Sequence, residues 1–388
     1  MQYRTFGKLD YRPSALGLGA MRLPLLDDGT GQPPKDFSRI DEERATEMLR
    51  VAVDLGVNYI DTAYPYHEGA SEVWLGRALQ DGYRERVQLA TKLPTWLVKS
   101  SADFDRYLDE QLVRLQTGTI DFYLLHSLDA DSWPLVLEHD ILRRAEQALA
   151  EGRIGHFGFS FHDQYDLFAE IVAATDLWEF CQIQYNYMDE DYQAGRRGLD
   201  LAAGKGLGVV VMEPLRGGGL ARNLPPAAGD LLDGATPRRS AAEWALRWVW
   251  DQPEVSLVLS GMSTLEQVEQ NCAAAAGSGT GVMTVAEREM IAAVRDVYAT
   301  LVPLPCTSCR YCLPCPQGVD IPGVFELFND AHIYGEPFRQ RLFYGWLDDT
   351  SRADRCTARG QCEPLCPQSI EIIAELEKVH TYLNEKKD

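Results

Sequence analysis

Between residues 41 and 277 the apolar positions switch repeatedly between helical spacing, every third or fourth residue, and short unbroken runs. Residues 41–55 show one cycle. Ala45, Met48, Leu49, Ala52 and Val53 share a helical face, Gly56 closes the helix, and 57–60 follows as a short extended run. Comparable runs stand at 87–91, 120–125, 156–159, 180–185, 207–212 and 256–259, with 15–19 ahead of them. The helices between include 101–116, striped by Phe104, Leu108, Leu112 and Leu115, and 163–175, for which Asp163 is the expected N-cap.

About eight strands alternating with helices over roughly 250 residues predict an α/β chain built on a closed (β/α)8 TIM barrel. A doubly wound sheet is the rival, but no G-x-G-x-x-G follows a first strand and opens a helix. Near residue 300 the pattern breaks into Pro303-Leu304-Pro305-Cys306. The expected division is a barrel over 1–300 and a small cysteine-rich domain over 301–388, since 388 residues exceed one hydrophobic core.

Composition sharpens this in two places. A net charge of −21 repels phosphate backbones and anionic surfaces, so nucleic acid is not an expected partner. The start, Met1-Gln2-Tyr3-Arg4-Thr5-Phe6-Gly7, has no apolar run, and no later stretch reaches the length of a membrane helix; no membrane insertion is expected and the expected compartment is the cytoplasm. Seven of the nine cysteines fall between 306 and 366, which in a reducing compartment reads as metal binding. Cys181 and Cys272, in apolar or Ala-rich stretches, are expected to be buried packing residues.

In a TIM barrel the chemistry sits at the C-terminal ends of the strands. Asp61 ends Asn58-Tyr59-Ile60-Asp61, Tyr66 follows five residues later, Lys92 ends the next strand, and His126 ends Tyr123-Leu124-Leu125-His126. Reducing a carbonyl with hydride leaves negative charge on oxygen, which calls for a proton donor. A phenol becomes a better donor when an ammonium favours phenolate, and an ion-paired carboxylate holds that ammonium. Tyr66, Lys92 and Asp61 suit those roles, with His126 orienting the carbonyl. The same set run backwards oxidises an alcohol.

These residues, within Asp61-Thr62-Ala63 and Leu124-Leu125-His126-Ser127, resemble the catalytic tetrad of the aldo-keto reductases, and the cysteines point to the branch with a C-terminal iron–sulfur module. The resemblance covers nearly the whole chain. It implies an NADP- or NAD-dependent oxidoreductase acting on a small-molecule carbonyl or alcohol, with Tyr66 as proton donor. It further implies that Ser160 and Gln182 hold the nicotinamide amide, with Phe161 where an Asn is usual. Met212 stands where an aromatic residue usually covers the ring. Met21 after the first strand, and Pro214, Leu215, Gly217 and Gly218 after the seventh, are implied contacts. Gly261, Ser263, Gln267 and Asn271 occupy the segment where relatives bind the adenosine 2′-phosphate at a helix N-terminus. The Arg or Lys usual there is absent, which leaves NADP against NAD open; Arg216 is one cation that reaches toward the cofactor in this reading. Substrate specificity is expected in 93–101 and 216–237, with Trp96, Trp133 and Tyr187 as pocket-lining or packing aromatics.

Cys306, Cys309 and Cys312, followed by Cys315-Pro316, resemble the bacterial ferredoxin run; zinc is the competing reading, although structural zinc sites usually separate their cysteine pairs. The second run, Cys356, Cys362 and Cys366-Pro367, carries Arg359 where the related pattern has another Cys. With ligands crossing over as in two-cluster ferredoxins, Cys306, Cys309, Cys312 and Cys366 would hold a [4Fe-4S] cluster. Cys315, Cys356 and Cys362 would remain for an incomplete second one such as [3Fe-4S]. Helical patches around Val324, Phe325 and Phe328 make the expected module an α-helical, ferredoxin-like one. Besides a plain reductase, such a domain raises two other readings: an electron relay to a ferredoxin-like partner, and a nicotinamide-sensing subunit.

Overall fold

The computed structural model describes all residues except 28–35, 223, 307–310, 336, 367 and 386–388. The chain forms two compact units: Met1–Gly218 with Ala242–Arg288, and Gly219–Ala241 with Glu289–Asp388.

In the first unit eight parallel strands close in sequence order into a barrel, as the alternation predicts. They are β1 (Leu16–Gly19), β2 (Tyr59–Asp61), β3 (Gln88–Leu93), β4 (Ile120–Leu128), β5 (Ile154–Phe161), β6 (Phe180–Gln184), β7 (Gly208–Met212) and β8 (Leu257–Ser260). Strands covered on both faces read as unbroken apolar runs. The helix Glu42–Asp54 buries the five apolar residues of its stripe, Asp41 accepts the Arg44 amide at its start, and Gly56, at φ +100°, makes the turn into β2.

The helix expected from 163 begins later, at Tyr165–Ala173, and Asp163 does not cap it. Its carboxylate accepts instead from the amides of Gln164 and, across the neighbouring loop, Ala130. Phe6, Tyr59, Phe122, Phe180 and Leu257 share one apolar cluster. The Phe6 ring lies so close to Gly208 that a Cβ there would come within 2.5 Å of its carbons.

The second unit contains the helices Ile321–Ile333, Pro337–Trp346 and Ile372–Leu383. Val324, Phe325 and Phe328 join Ile372, Leu376 and Val379 in its core, so the expected helical character of this region is present. Cys181 and Cys272 are buried, as expected. Among the described residues no helix is long and apolar enough to cross a membrane.

Candidate active site

Adjacent parallel strands bring Asp61, at the end of β2, beside Lys92 on β3. Lys92 Nζ donates to Asp61 Oδ1 at 2.6 Å, to the Thr62 carbonyl at 2.8 Å and to Tyr66 Oη at 3.3 Å. Lys92 and Asp61 are almost wholly buried, and such charges are tolerated only when paired. Tyr66 opens a short turn, Tyr66–Gly69, in which His67 and Glu68 both take left-handed backbone angles. His126 is not the last residue of its strand: β4 runs on to Leu128, its register with β5 shifts between Leu125 and Leu128, and Ser127 has φ +59°. The His126 ring stands edge-on to Tyr66 with centroids 5.9 Å apart, and Thr95 Oγ1 donates to its carbonyl. All four tetrad residues therefore meet at one mouth.

Burial governs the electrostatics. It raises the Asp61 carboxyl, with Lys92 opposing; Lys92 is lowered by burial but lifted further by Asp61 and Tyr66, so its net shift is upward. The Tyr66 phenol is likewise pushed above its ordinary value, because burial outweighs the pull of Lys92. The ammonium thus moderates Tyr66 rather than making it acidic, and the group is a protonated phenol near neutral pH. His126 is held well below 6.5, first by burial and then by Lys92 and His162, so it is a neutral imidazole.

Two supports were not singled out in the sequence. His67 Nε2 accepts the Leu23 amide at 3.2 Å, which leaves Nδ1–H to donate to the Phe37 carbonyl at 2.8 Å; the ring ties the turn carrying Tyr66 to the loop after β1. Behind Lys92, the buried Glu72 carboxylate accepts from Thr91 Oγ1 and Gln111 Nε2, each at 2.6 Å, and from Arg114 at 3.2 Å. Gln111 also donates to the Lys92 carbonyl. The available signal was a Glu and a Gln on the inward faces of helices Ala70–Ala78 and Ala102–Arg114.

On the next strands, Ser160 Oγ accepts the Ser127 amide at 2.8 Å. Gln182 is buried, its Oε1 has no partner among the described residues, and its Nε2 reaches only Met212 Sδ at 3.8 Å. An amide with unspent hydrogen-bonding capacity fits a carboxamide such as that of nicotinamide. Met21 is exposed, Pro214 buried and Leu215 half-buried. In the loop after β7, Glu213, Arg216, Gly217 and Gly218 all have positive φ; the Arg216 and Gly218 amides are spent on the Glu213 and Leu215 carbonyls, and Arg216 pairs with Asp189. After β8, Gln267 Oε1 accepts the Ser263 amide while Thr264 caps the helix Leu265–Ala276, and Asn271 donates to Ser260. Ser263 Oγ donates to the Arg22 carbonyl, and Arg22 extends to Glu213 at 3.4 Å. Gly261 lies beneath that arginine: a Cβ on it would stand 3.2 Å from Arg22 Cγ and Cδ.

Of the aromatics, Trp133 and Tyr187 are buried in packing, Trp133 donating to Glu170 and Tyr187 edge-on to Trp248. Trp96 is half exposed with its ring 5.1 Å from that of His126.

In the second unit Cys306, Cys312, Cys315, Cys356, Cys362 and Cys366 pack against one apolar core; Cys309 lies outside the described residues. Burial, with Cys356 and Cys315 nearby, raises the Cys362 thiol. Among the described residues no three His, Cys, Asp or Glu side chains are gathered as a metal site.

The closed barrel thus gathers an acid, a lysine, a tyrosine and a histidine at one mouth. The sequence profile described as the Aldo/keto reductase family matches residues 15–278, and the chain belongs to that family. It is accordingly an NAD(P)-dependent oxidoreductase. The chain is 28% identical over 272 residues to a methylglyoxal reductase of Escherichia coli (strain K12), covering 66% of this chain and 86% of that protein. It is 26% identical over 303 residues to an L-galactose dehydrogenase of Arabidopsis thaliana, covering 71% and 88%. Among solved structures it resembles the holo form of an aldo-keto reductase from Bacillus halodurans, with a TM-score of 0.62, 26% identity, and coverage of 76% of this chain and 96% of that one.

Proposed function

We propose that this enzyme interconverts an aldehyde or ketone and the corresponding alcohol with NADPH or NADH, Tyr66 donating the proton during reduction. The observation that carries the reading is the one ammonium that bonds both Asp61 and Tyr66. A bound nicotinamide supplies the hydride; Gln182 and Ser160 are the residues to hold its amide and Met212 to cover its ring. As charge develops on the substrate oxygen, the Tyr66 hydroxyl delivers its proton, Lys92 stabilises the phenolate left behind, and Asp61 keeps the ammonium aimed. Neutral His126 donates a hydrogen bond that orients the carbonyl. The names of the methylglyoxal reductase and L-galactose dehydrogenase relatives make small oxygenated carbonyls and alcohols the first substrates to try. Tyr66→Phe should lower turnover by about 10²–10⁴-fold with aldehyde and NADPH or NADH, read as loss of nicotinamide absorbance. Unchanged turnover in that variant would overturn the reading.

The cysteines support a second element of this proposal. Cys306, Cys309, Cys312 and Cys366 ligate a [4Fe-4S] cluster, and Cys315, Cys356 and Cys362 form a three-thiolate site suited to a [3Fe-4S] cluster. What supports it is that six cysteines from two distant runs pack on one apolar core, with Cys315 of the first run near Cys356 and Cys362 of the second. Iron and acid-labile sulfide are to be measured on anaerobically purified protein. About seven irons per chain, four and three, is the expected result; zinc in their place would sink it.

A further inference from the structure

The strand ends divide the barrel mouth by chemistry. β2, β3 and β4 supply the tetrad; β5 and β6 supply Ser160 and Gln182; β7, β8 and β1 remain for the rest of a dinucleotide whose nicotinamide end lies at Gln182. Its phosphates must therefore pass over the ends of β7 and β8, in a chain whose net charge of −21 opposes any anion. A local cation is required there.

The backbone and polar groups at this place are largely committed. The Arg216 and Gly218 amides close their own turn, Ser263 and Gln267 bond each other, and Arg216 is paired with Asp189. Arg22 is the cation lying across the gap. Its backbone is fixed from two sides, by Ser263 Oγ on its own carbonyl and by His67 Nε2 on the following amide, and its side chain runs over Gly261 to Glu213. Glu213 itself is a carboxylate in the phosphates' path, and its charge is felt at Tyr66.

We propose that Arg22 is the phosphate-recognising charge of the cofactor site and that Glu213 holds it until the cofactor arrives, when Arg22 exchanges the carboxylate for a phosphate oxygen. The inference rests on the nicotinamide reading above. Guanidinium suits both partners because its fork of N–H donors matches carboxylate and phosphate alike. Both groups of the pair are partly exposed, so the exchange needs no opening of a core.

The test is the Kd of NADPH and of NADH for the full-length protein, by fluorescence titration without substrate. Arg22→Gln should weaken binding about tenfold, the equivalent of about 1.4 kcal/mol. Glu213→Gln should tighten it several-fold, a direction that damage to the fold would not produce. An equal loss for both cofactors in Arg22→Gln assigns the arginine to the pyrophosphate; a loss confined to NADPH assigns it to the 2′-phosphate. With wild-type binding intact, an unchanged Arg22→Gln overturns the phosphate role of Arg22, and a Glu213→Gln weaker than wild type overturns the exchange, each leaving the nicotinamide reading standing. Wild-type protein that binds neither cofactor overturns the nicotinamide reading, and this inference with it.

Discussion

Lys92 Nζ lies 2.6 Å from Asp61 Oδ1, while Asp61 Oδ2, equally buried, has no partner among the described residues. The ammonium's three protons are thus spent on Asp61, the Thr62 carbonyl and Tyr66, while the carboxylate is held by one short charge-assisted bond. Removing the counter-charge alone leaves an ammonium in a dry site. Asp61→Asn should cost about 3–5 kcal/mol, whereas Asp61→Asn combined with Lys92→Met should cost less than the single change, because no buried charge is stranded. Urea unfolding of the three proteins decides it; a double variant less stable than Asp61→Asn contradicts the argument.

His67 and His126 make stability depend on pH in a calculable direction. Burial lowers both below 6.5, and His67 Nε2 can accept the Leu23 amide only while unprotonated. Below 6.5 the unfolded chain takes up protons that the folded chain refuses, so this contribution is complete above 6.5 and is lost as pH falls from there toward the folded values. Each group contributes up to about 1.4 kcal/mol per pH unit. His67→Gln should therefore show a shallower fall between pH 6.5 and 5.5 than wild type, measured as urea midpoints. Parallel curves would show that His67 does not titrate as described.

Trp96 is exposed, with its ring 5.1 Å from that of His126. An apolar plate beside the His126 imidazole is suited to the body of a substrate rather than to its reacting atoms. Trp96→Ala should raise KM for carbonyls with a ring or alkyl body by about 10-fold, with kcat changing little, as for loss of uniform binding. Equal KM values before and after the change would remove Trp96 from the substrate site.

Period carried the barrel because a buried parallel strand writes its length as an apolar run; of the residues read as strand ends, Asp61 does end β2, while Lys92 stands one residue before the end of β3. The same logic misplaced His126 by two residues, since Ser127-Leu128 continues the strand through a register shift that no periodicity records. Asp163 looked like a cap because local sequence shows a capping residue type but not the Ala130 amide that claims it from another loop. Arg22 was invisible for a related reason. The resemblance points to a cation in the segment after β8, whereas Arg22 stands in the loop after β1, adjacent to that segment only once the barrel closes β8 onto β1.

Glu72 shows how far the site extends behind its reacting face. Its carboxylate gathers Thr91, Gln111 and Arg114, and Gln111 passes on to the carbonyl of Lys92, so the backbone of Lys92 is tied to a buried acid. Glu72→Ala would leave the Thr91 hydroxyl and the Gln111 amide short of partners in a buried setting, at a cost of about 2–5 kcal/mol. Glu72→Gln keeps the shape and one acceptor but turns a donor toward Arg114, which should cost less, about 1–3 kcal/mol. If the cluster also aims Lys92, the Ala variant, assayed below its unfolding midpoint, should lose kcat while KM for the carbonyl stays within about twofold, and the Gln variant should recover part of that loss. Two variants equal to each other in stability and in kcat would mean that Glu72 fills space and does not position the lysine.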